Sequence, residues 1–217
     1  MKALDALGII NSISSQQWGM VTSAQATMQG INRTTLSRLE RYGHLERLRQ
    51  GVYRVSAAPA TRLEAIYAAW LSLEPGIPSY LRSKEPDSDA MVSGVTAAYV
   101  LDIGELNPEP ITFTVPRRRQ LRDKGIRTLS RHLEKSETTI VQGLPVTTME
   151  RTIVDLVADG IDQSLVLNAV SDALKTGRLD TSTLAEYLKP FAKRARYESG
   201  GIELLIDRLT GTGGMDV

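Results

Sequence analysis

Asn32-Arg33-Thr34-Thr35-Leu36-Ser37-Arg38-Leu39-Glu40-Arg41-Tyr42-Gly43, continued by His44-Leu45-Glu46-Arg47-Leu48-Arg49-Gln50-Gly51-Val52-Tyr53-Arg54-Val55, is the stretch that decides the fold. Asn32 supplies the side-chain acceptor favoured just before a helix, and Gly43 the left-handed residue that ends one, so residues 33–42 are predicted helical. The period then changes. Leu45–Arg49 and Val52–Val55 are β-compatible runs joined by Gln50-Gly51, a two-residue turn in which glycine supplies positive φ.

Upstream, Thr22 is positioned to cap a helix running to about Gln29, with Gly30 ending it and Ile31 making the accompanying apolar contact. Two short helices across a tight glycine turn, followed at once by a hairpin, give the order of a winged helix-turn-helix. Leu4, Leu7, Ile10 and Ile13 recur every third residue and predict an opening helix, which Trp18-Gly19 ends. The winged unit is expected to fill residues 1–57, with a linker at 58–61 in the Ala57-Ala58-Pro59-Ala60 stretch.

Downstream the reading is mixed. Thr61 is placed to cap a helix whose Leu63, Ile66, Tyr67, Trp70 and Leu71 form one apolar stripe. Glu74-Pro75-Gly76-Ile77-Pro78 stops it, and the polar stretch to Asp89 reads as loop. A helix from Ser93 through Val100, strands at Ile111–Val115, Ile126–Leu133 and Thr138–Val141, and a turn at Gly143-Leu144-Pro145-Val146 into a further strand follow. Helices are predicted from Thr148 to about Ala158 and over Gln163–Leu174, Thr183–Leu188 and Ile202–Leu209. The fold class is α+β: a winged helix-turn-helix, then a domain over 62–217 with a small sheet and a helical end.

The 217 residues carry a net charge of only +1, but the charge lies in blocks. Residues 32–54 carry a net +4, 116–131 a net +6 and 74–110 a net −5. Such segregation bears on a polyanionic partner more than the total does. No cysteine is present, so disulfides, thiolate metal sites and thiol nucleophiles are excluded. Apolar runs such as Ile66–Leu73 are far shorter than the ~20 residues that cross a bilayer. No export signal is legible at the N-terminus, so a cytoplasmic location is expected.

On the helix 33–42, Leu36 and Leu39 share one narrow sector that must face a small core. Thr34, Arg38 and Arg41 then point nearly the opposite way, flanked by Thr35 and Ser37. Arginine can grip guanine O6 and N7 with two hydrogen bonds, and small hydroxyl residues let the helix sit deep in a major groove. Arg33 and, at the start of the preceding helix, Thr22 and Ser23 complete the DNA-facing set on this side. Arg47, Arg49, Gln50 and Arg54 lie on or near the hairpin, where phosphate contact is the default role and edge-strand protection the bland one. Arg117, Arg118, Arg119, Arg122, Lys124 and Arg127, with Arg131, form a second basic segment. It reads as a further backbone contact, a docking surface for an acidic partner, or a turn kept soluble by charge.

Catalytic patterns are scarce. His44 and His132 have no ligand-spaced neighbours, no phosphate-cradling Gly-rich motif occurs, and the glycines at 211–214 precede no helix. Glu150 and Asp155 are five apart on one helix, off the three or four spacing that pairs side chains. No metal, no cofactor and no enzymatic activity are expected.

The runs Ile31–Leu39 and Gly43–Arg54, with Ile111-Thr112-Phe113-Thr114-Val115-Pro116-Arg117 and Gly143-Leu144-Pro145-Val146-Thr147-Thr148-Met149-Glu150-Arg151-Thr152-Ile153-Val154-Asp155-Leu156, resemble the AbiEi family, the antitoxins of type IV toxin-antitoxin systems. The likeness runs over roughly residues 20–190, and the second-half motif is its more specific part. It implies a protein that represses its own operon through the winged helix, binding its operator as double-stranded DNA. It further implies a C-terminal domain that counteracts a cognate nucleotidyltransferase-like toxin, leaving direct contact open. Arg33, Thr34, Thr35, Ser37, Arg38, Arg49 and Gln50 fall at DNA-facing positions of the family. Thr152 and Asp155 match its motif, and from their places on the helix they read as a helix-start threonine and an amphipathic-face aspartate. The alternatives are a regulator whose second domain senses a small ligand, and a nuclease targeted by a winged helix.

Overall fold

The structure, a computed structural model, describes residues 3–117, 121 and 123–191. The chain divides into two compact units, Met1–Ser83 and Lys84–Val217.

The first unit opens with α1 (Ala3–Ser14), β1 (Met20–Thr22), α2 (Ser23–Met28) and α3 (Arg33–Arg41). It continues with β2 (Leu45–Arg49), β3 (Val52–Val55) and α4 (Glu64–Leu73). Its sheet has the order β1-β3-β2 and is antiparallel throughout, Met20 facing Arg54 and Leu45 facing Val55. Strand β1 is not predicted from sequence: three residues carry no usable period, and only pairing with the distant β3 makes them a strand. The core gathers Ala6 and Ile10 of α1, Leu36 and Leu39 of α3, and Leu45 and Tyr53 of the hairpin. Leu4 does not join it and is 81% exposed. A spacing of three turns back about 60° per step at ~100° per residue, so Leu4 and Ile13 finish on opposite sides of the helix.

Helix α4 belongs to this first unit, so the linker expected at 58–61 lies inside it. The Trp18 ring stacks on Tyr67 with centroids 4.1 Å apart, and meets Trp70 edge-on at 5.9 Å. The expected Thr61 cap is not formed; the helix starts after Leu63 without a side-chain cap. The segment after α4 is not a plain polar loop either. Ser79 and Arg82 are buried, and the Arg82 guanidinium lies 3.4 Å from the centre of the Trp70 ring.

The second unit contains β4 (Met91–Val92), α5 (Gly94–Leu101), β5 (Ile111–Thr114), β6 (Ile126–Leu129), β7 (Thr138–Val141) and β8 (Leu144–Thr147). Helices α6 (Met149–Ala158), α7 (Gln163–Lys175) and α8 (Thr181–Leu188) follow. Its five strands run in the order β6-β5-β4-β8-β7, with β5–β6 and β4–β8 parallel and the other pairs antiparallel. A helical core of Ile153, Leu156, Ala169, Leu184 and Leu188 packs with Ala98 of α5. Strand β6 ends at Leu129, short of the predicted Leu133, because the chain turns there and aims Arg131 at acids of α6. The helix predicted at Ile202–Leu209 lies outside the described residues. Together the two units are α+β, as the sequence predicts.

Candidate nucleic-acid interface

The helix-turn-helix is α2 and α3. Thr22 Oγ1 accepts from Gln25 N at 3.1 Å while the Gln25 side chain accepts from Thr22 N at 3.0 Å, a reciprocal cap that fixes the start of α2. Gln25 continues inward, accepting from Gln17 Nε2 at 2.6 Å and donating to the Ile77 carbonyl at 3.2 Å. Asn32 Oδ1 accepts from Thr35 N at 2.9 Å and fixes the start of α3. Gly51 closes the wing with φ +75°. A Cβ there would also stand 3.0 Å from the Ser23 hydroxyl, and Ser23 N donates to the Gly51 carbonyl at 2.8 Å. Glycine at the wing tip is therefore required by torsion.

With Leu36 and Leu39 fully buried, the opposite face of α3 is presented to solvent. Thr34, Ser37, Arg38 and Arg41 are exposed and Thr35 is half-buried. The Arg41 guanidinium stands 5.4 Å from the ring centre of Tyr42, an exposed aromatic residue that the sequence reading does not single out. Arg33, Ser37, Arg47 and Gln50, with Ser23 and Thr27 of α2, line one surface cleft of about 780 Å³.

Two expected DNA-facing residues are corrected. Thr22 is fully buried, and its hydroxyl serves the α2 cap and the Pro75 carbonyl, so it offers nothing to DNA. Arg54 is only 9% exposed. It pairs with Glu46 at 2.5 Å and Glu64 at 2.7 Å, and also donates to the Ala58 carbonyl. It clasps the wing to α4. Glu46 opposite it on the neighbouring strand was the available signal. Arg47 and Gln50 are exposed, Ser23 and Arg49 half-buried.

The second basic segment is not a uniform cationic patch. Arg117 and Lys124 are exposed, and Arg118, Arg119 and Arg122 lie outside the described residues. Arg127 stands 3.6 Å from Asp159, and Arg131 bonds Asp159 and, at 3.1 Å, Asp155. Asp155 is 1% exposed, not on an amphipathic surface. Its Oδ1 also accepts from Arg151 Nε at 3.0 Å, and Arg151 in turn reaches Glu137 at 2.8 Å. Burial raises the Asp155 carboxyl above its ordinary range, against the pull of Arg151 and Arg131. Thr152 is buried beside Thr147, their hydroxyls 2.7 Å apart. The second-half motif thus forms internal bonds that fasten β8, α6 and the turn before β7. Among the described residues no group of three or more His, Asp or Glu side chains could hold a metal ion. Among them no helix is long and apolar enough to cross a membrane.

The chain is similar in fold to the crystal structure of the RV2827C protein from Mycobacterium tuberculosis, with a TM-score of 0.55 at 14% identity over 95% of this chain and 76% of that one. No curated protein matches the sequence. A family model described as "Transcriptional regulator, AbiEi antitoxin" matches residues 9–56, which run from within α1 to the end of the wing. Over residues 9–56 the chain is thus similar to the AbiEi antitoxin family of transcriptional regulators.

Proposed function

We propose that the chain is a cytoplasmic, non-enzymatic antitoxin that binds its own operator, represses its toxin-antitoxin operon and counteracts a cognate nucleotidyltransferase-like toxin. The observation that carries the reading is the outward face of α3: Thr34, Arg38 and Arg41 stand exposed over two fully buried leucines. The family description of residues 9–56 supports the same reading. The helix presents donors, no acid at the centre of the face, and short side chains beside the arginines, which suits the floor of a major groove.

A gel shift on the DNA upstream of the gene tests the operator half. Arg38→Ala is expected to weaken specific binding by ~1–3 kcal/mol while the fold is kept. Unchanged affinity and specificity would remove Arg38 from base reading. Co-expression with a neighbouring nucleotidyltransferase gene tests the antitoxin half, with restored growth as the expected result.

A further inference from the structure

Helix α2 has two sides, and each borders a cleft. At ~100° per residue, Ser23, Ala24 and Thr27 fall on one side, and these three line the cleft shared with α3 and the wing. Gln25, Met28 and the capping Gln29 fall on the other side and line a second cleft, of about 350 Å³. Its facing wall is α1, through Ile9, Ser12, Ile13 and Gln16. The turn after α4 closes it through Gly76, Pro78 and Tyr80. No charged side chain is among these residues. Met28 and Tyr80 are 72% and 59% exposed, so two large apolar side chains stand in water at a concave site. The Gln25 amide is fully engaged: its oxygen accepts from Gln17 Nε2 and Thr22 N, and its nitrogen donates to Gln17 Oε1 and the Ile77 carbonyl. Ser12, Gln16 and Gln29 are exposed and bring a hydroxyl and two amides to the cleft. None of these three side chains hydrogen-bonds another described residue.

We infer that this second cleft binds a small uncharged molecule with an apolar body and a hydrogen-bonding end, and that the molecule acts as a corepressor; the regulatory half rests on the DNA-binding reading above. The volume lies at the small end of the ~300–1,000 Å³ of small-molecule sites, and apolar walls with a few polar groups are their usual lining. An ion would lose its hydration there and meet no opposite charge, so nucleotides and other anions do not fit. A partner protein fits poorly as well. The outer face of α1 beside the cleft continues in the exposed polar residues Asn11 and Ser15, whereas a stable interface takes ~800 Å² from each side. Hydrogen bonds carry the site to the DNA-facing elements. Gln25 caps α2 and holds the Ile77 carbonyl, Ser79 Oγ donates to the Gln16 carbonyl at 3.2 Å, and Ser23 N at the start of α2 donates to the wing tip. The cleft exists in the arrangement in which these bonds are made, so a molecule that fills it favours that arrangement.

The test titrates the full chain with benzamide, and with its charged isosteres benzoate and benzamidinium, while backbone amide resonances are followed by NMR. Benzamide is expected to shift the amides of residues 12–16, 25–29 and 76–80 saturably, and the two ions are expected to leave them in place. Ser12→Trp puts a large ring at the cleft from an exposed position, so the variant is expected to keep the fold and lose the response. At saturating benzamide the parent is expected to bind its upstream DNA at least fivefold more tightly, the lower end of ordinary coupling between sites, and Ser12→Trp to show no such gain. The site is overturned if benzamide leaves these amides unmoved, if the ions move them equally, or if Ser12→Trp responds like the parent. It is also overturned if the same amides shift with protein concentration alone while the mass in solution doubles, which would make a second copy the occupant. Saturable benzamide binding with unchanged DNA affinity would overturn the corepressor role. If the parent binds no upstream DNA, the operator-binding reading fails, and the amide shifts still decide the site.

Discussion

Arg54 and Arg38 belong to the same unit and meet opposite surroundings. Arg38 projects from α3 into solvent, while Arg54 is enclosed by Glu46, Glu64 and the Ala58 carbonyl. Removing one partner of a buried ion pair leaves the other charge desolvated and unpaired, which costs ~3–5 kcal/mol. Glu46 remains largely exposed and can rehydrate. Arg54→Ala is therefore expected to destabilise the first unit by ~3 kcal/mol, the low end of that range. Urea unfolding followed by tryptophan emission checks this selectively, because both tryptophans of the chain, Trp18 and Trp70, lie in the first unit. Arg38→Ala should leave the same unfolding curve within ~0.5 kcal/mol. An Arg54 variant as stable as the parent would show that the clasp adds nothing beyond the packing of α4.

At the scale of elements, α3 and the hairpin were legible because everything that defines them is local. Asn32 caps, two leucines mark the buried side, and Gly51 sets the turn. Strands β1 and β4 were not legible: with three and two residues they exist only through partners far along the chain. The site divides the same way, since periodicity exposes the face of α3 but not which flank the wing approaches. In the second unit, helix ends carry their own pH signature. Hydrogen bonds from Ser164 lower the carboxyl of Asp162, the α7 cap, and those from Thr183 lower Asp180, the α8 cap. Asp172 is lowered by Lys175 and the Gly104 amide. The stabilisation these three give is present above the ordinary aspartate range and is lost as pH falls through their depressed values. Asp155 runs the other way: its raised carboxyl contributes stability below the ordinary value that is lost as pH rises through the raised one. Asp180→Asn keeps a capping acceptor but cannot titrate, so it is expected to flatten the acid limb of a far-ultraviolet melting series. Asp155→Asn is expected to gain stability relative to the parent as pH rises through the Asp155 titration. A relative stability that stays constant across that window would contradict the burial-dominated shift.

For the whole molecule, the question is where the winged unit ends. Composition places the break at 58–61, where alanines and a proline carry no period. Packing places it after Ser83, because Trp18 stacks on Tyr67, Arg54 pairs with Glu64, and Ser79 N donates to Gln17 Oε1 at 3.2 Å. No linker composition encodes those interactions; they span the 58–61 stretch, two of them join residues about fifty or more apart, and they form only when the chain has folded. The two placements differ in a way trypsin can read. Arg62, exposed beside the expected linker, and Lys84, at the start of the second unit, are both potential cleavage points, whereas Arg82 between them is buried. Domain boundaries lie where few interactions cross and the backbone can enter a protease, so brief digestion of the native protein is expected to cut after Lys84 before Arg62. Mass spectrometry would then find an N-terminal fragment that includes α4 and both tryptophans. A fragment ending at Arg62 would instead mean that α4 detaches readily from the wing, and that the aromatic stack and the Arg54 clasp do not hold the first unit together in solution.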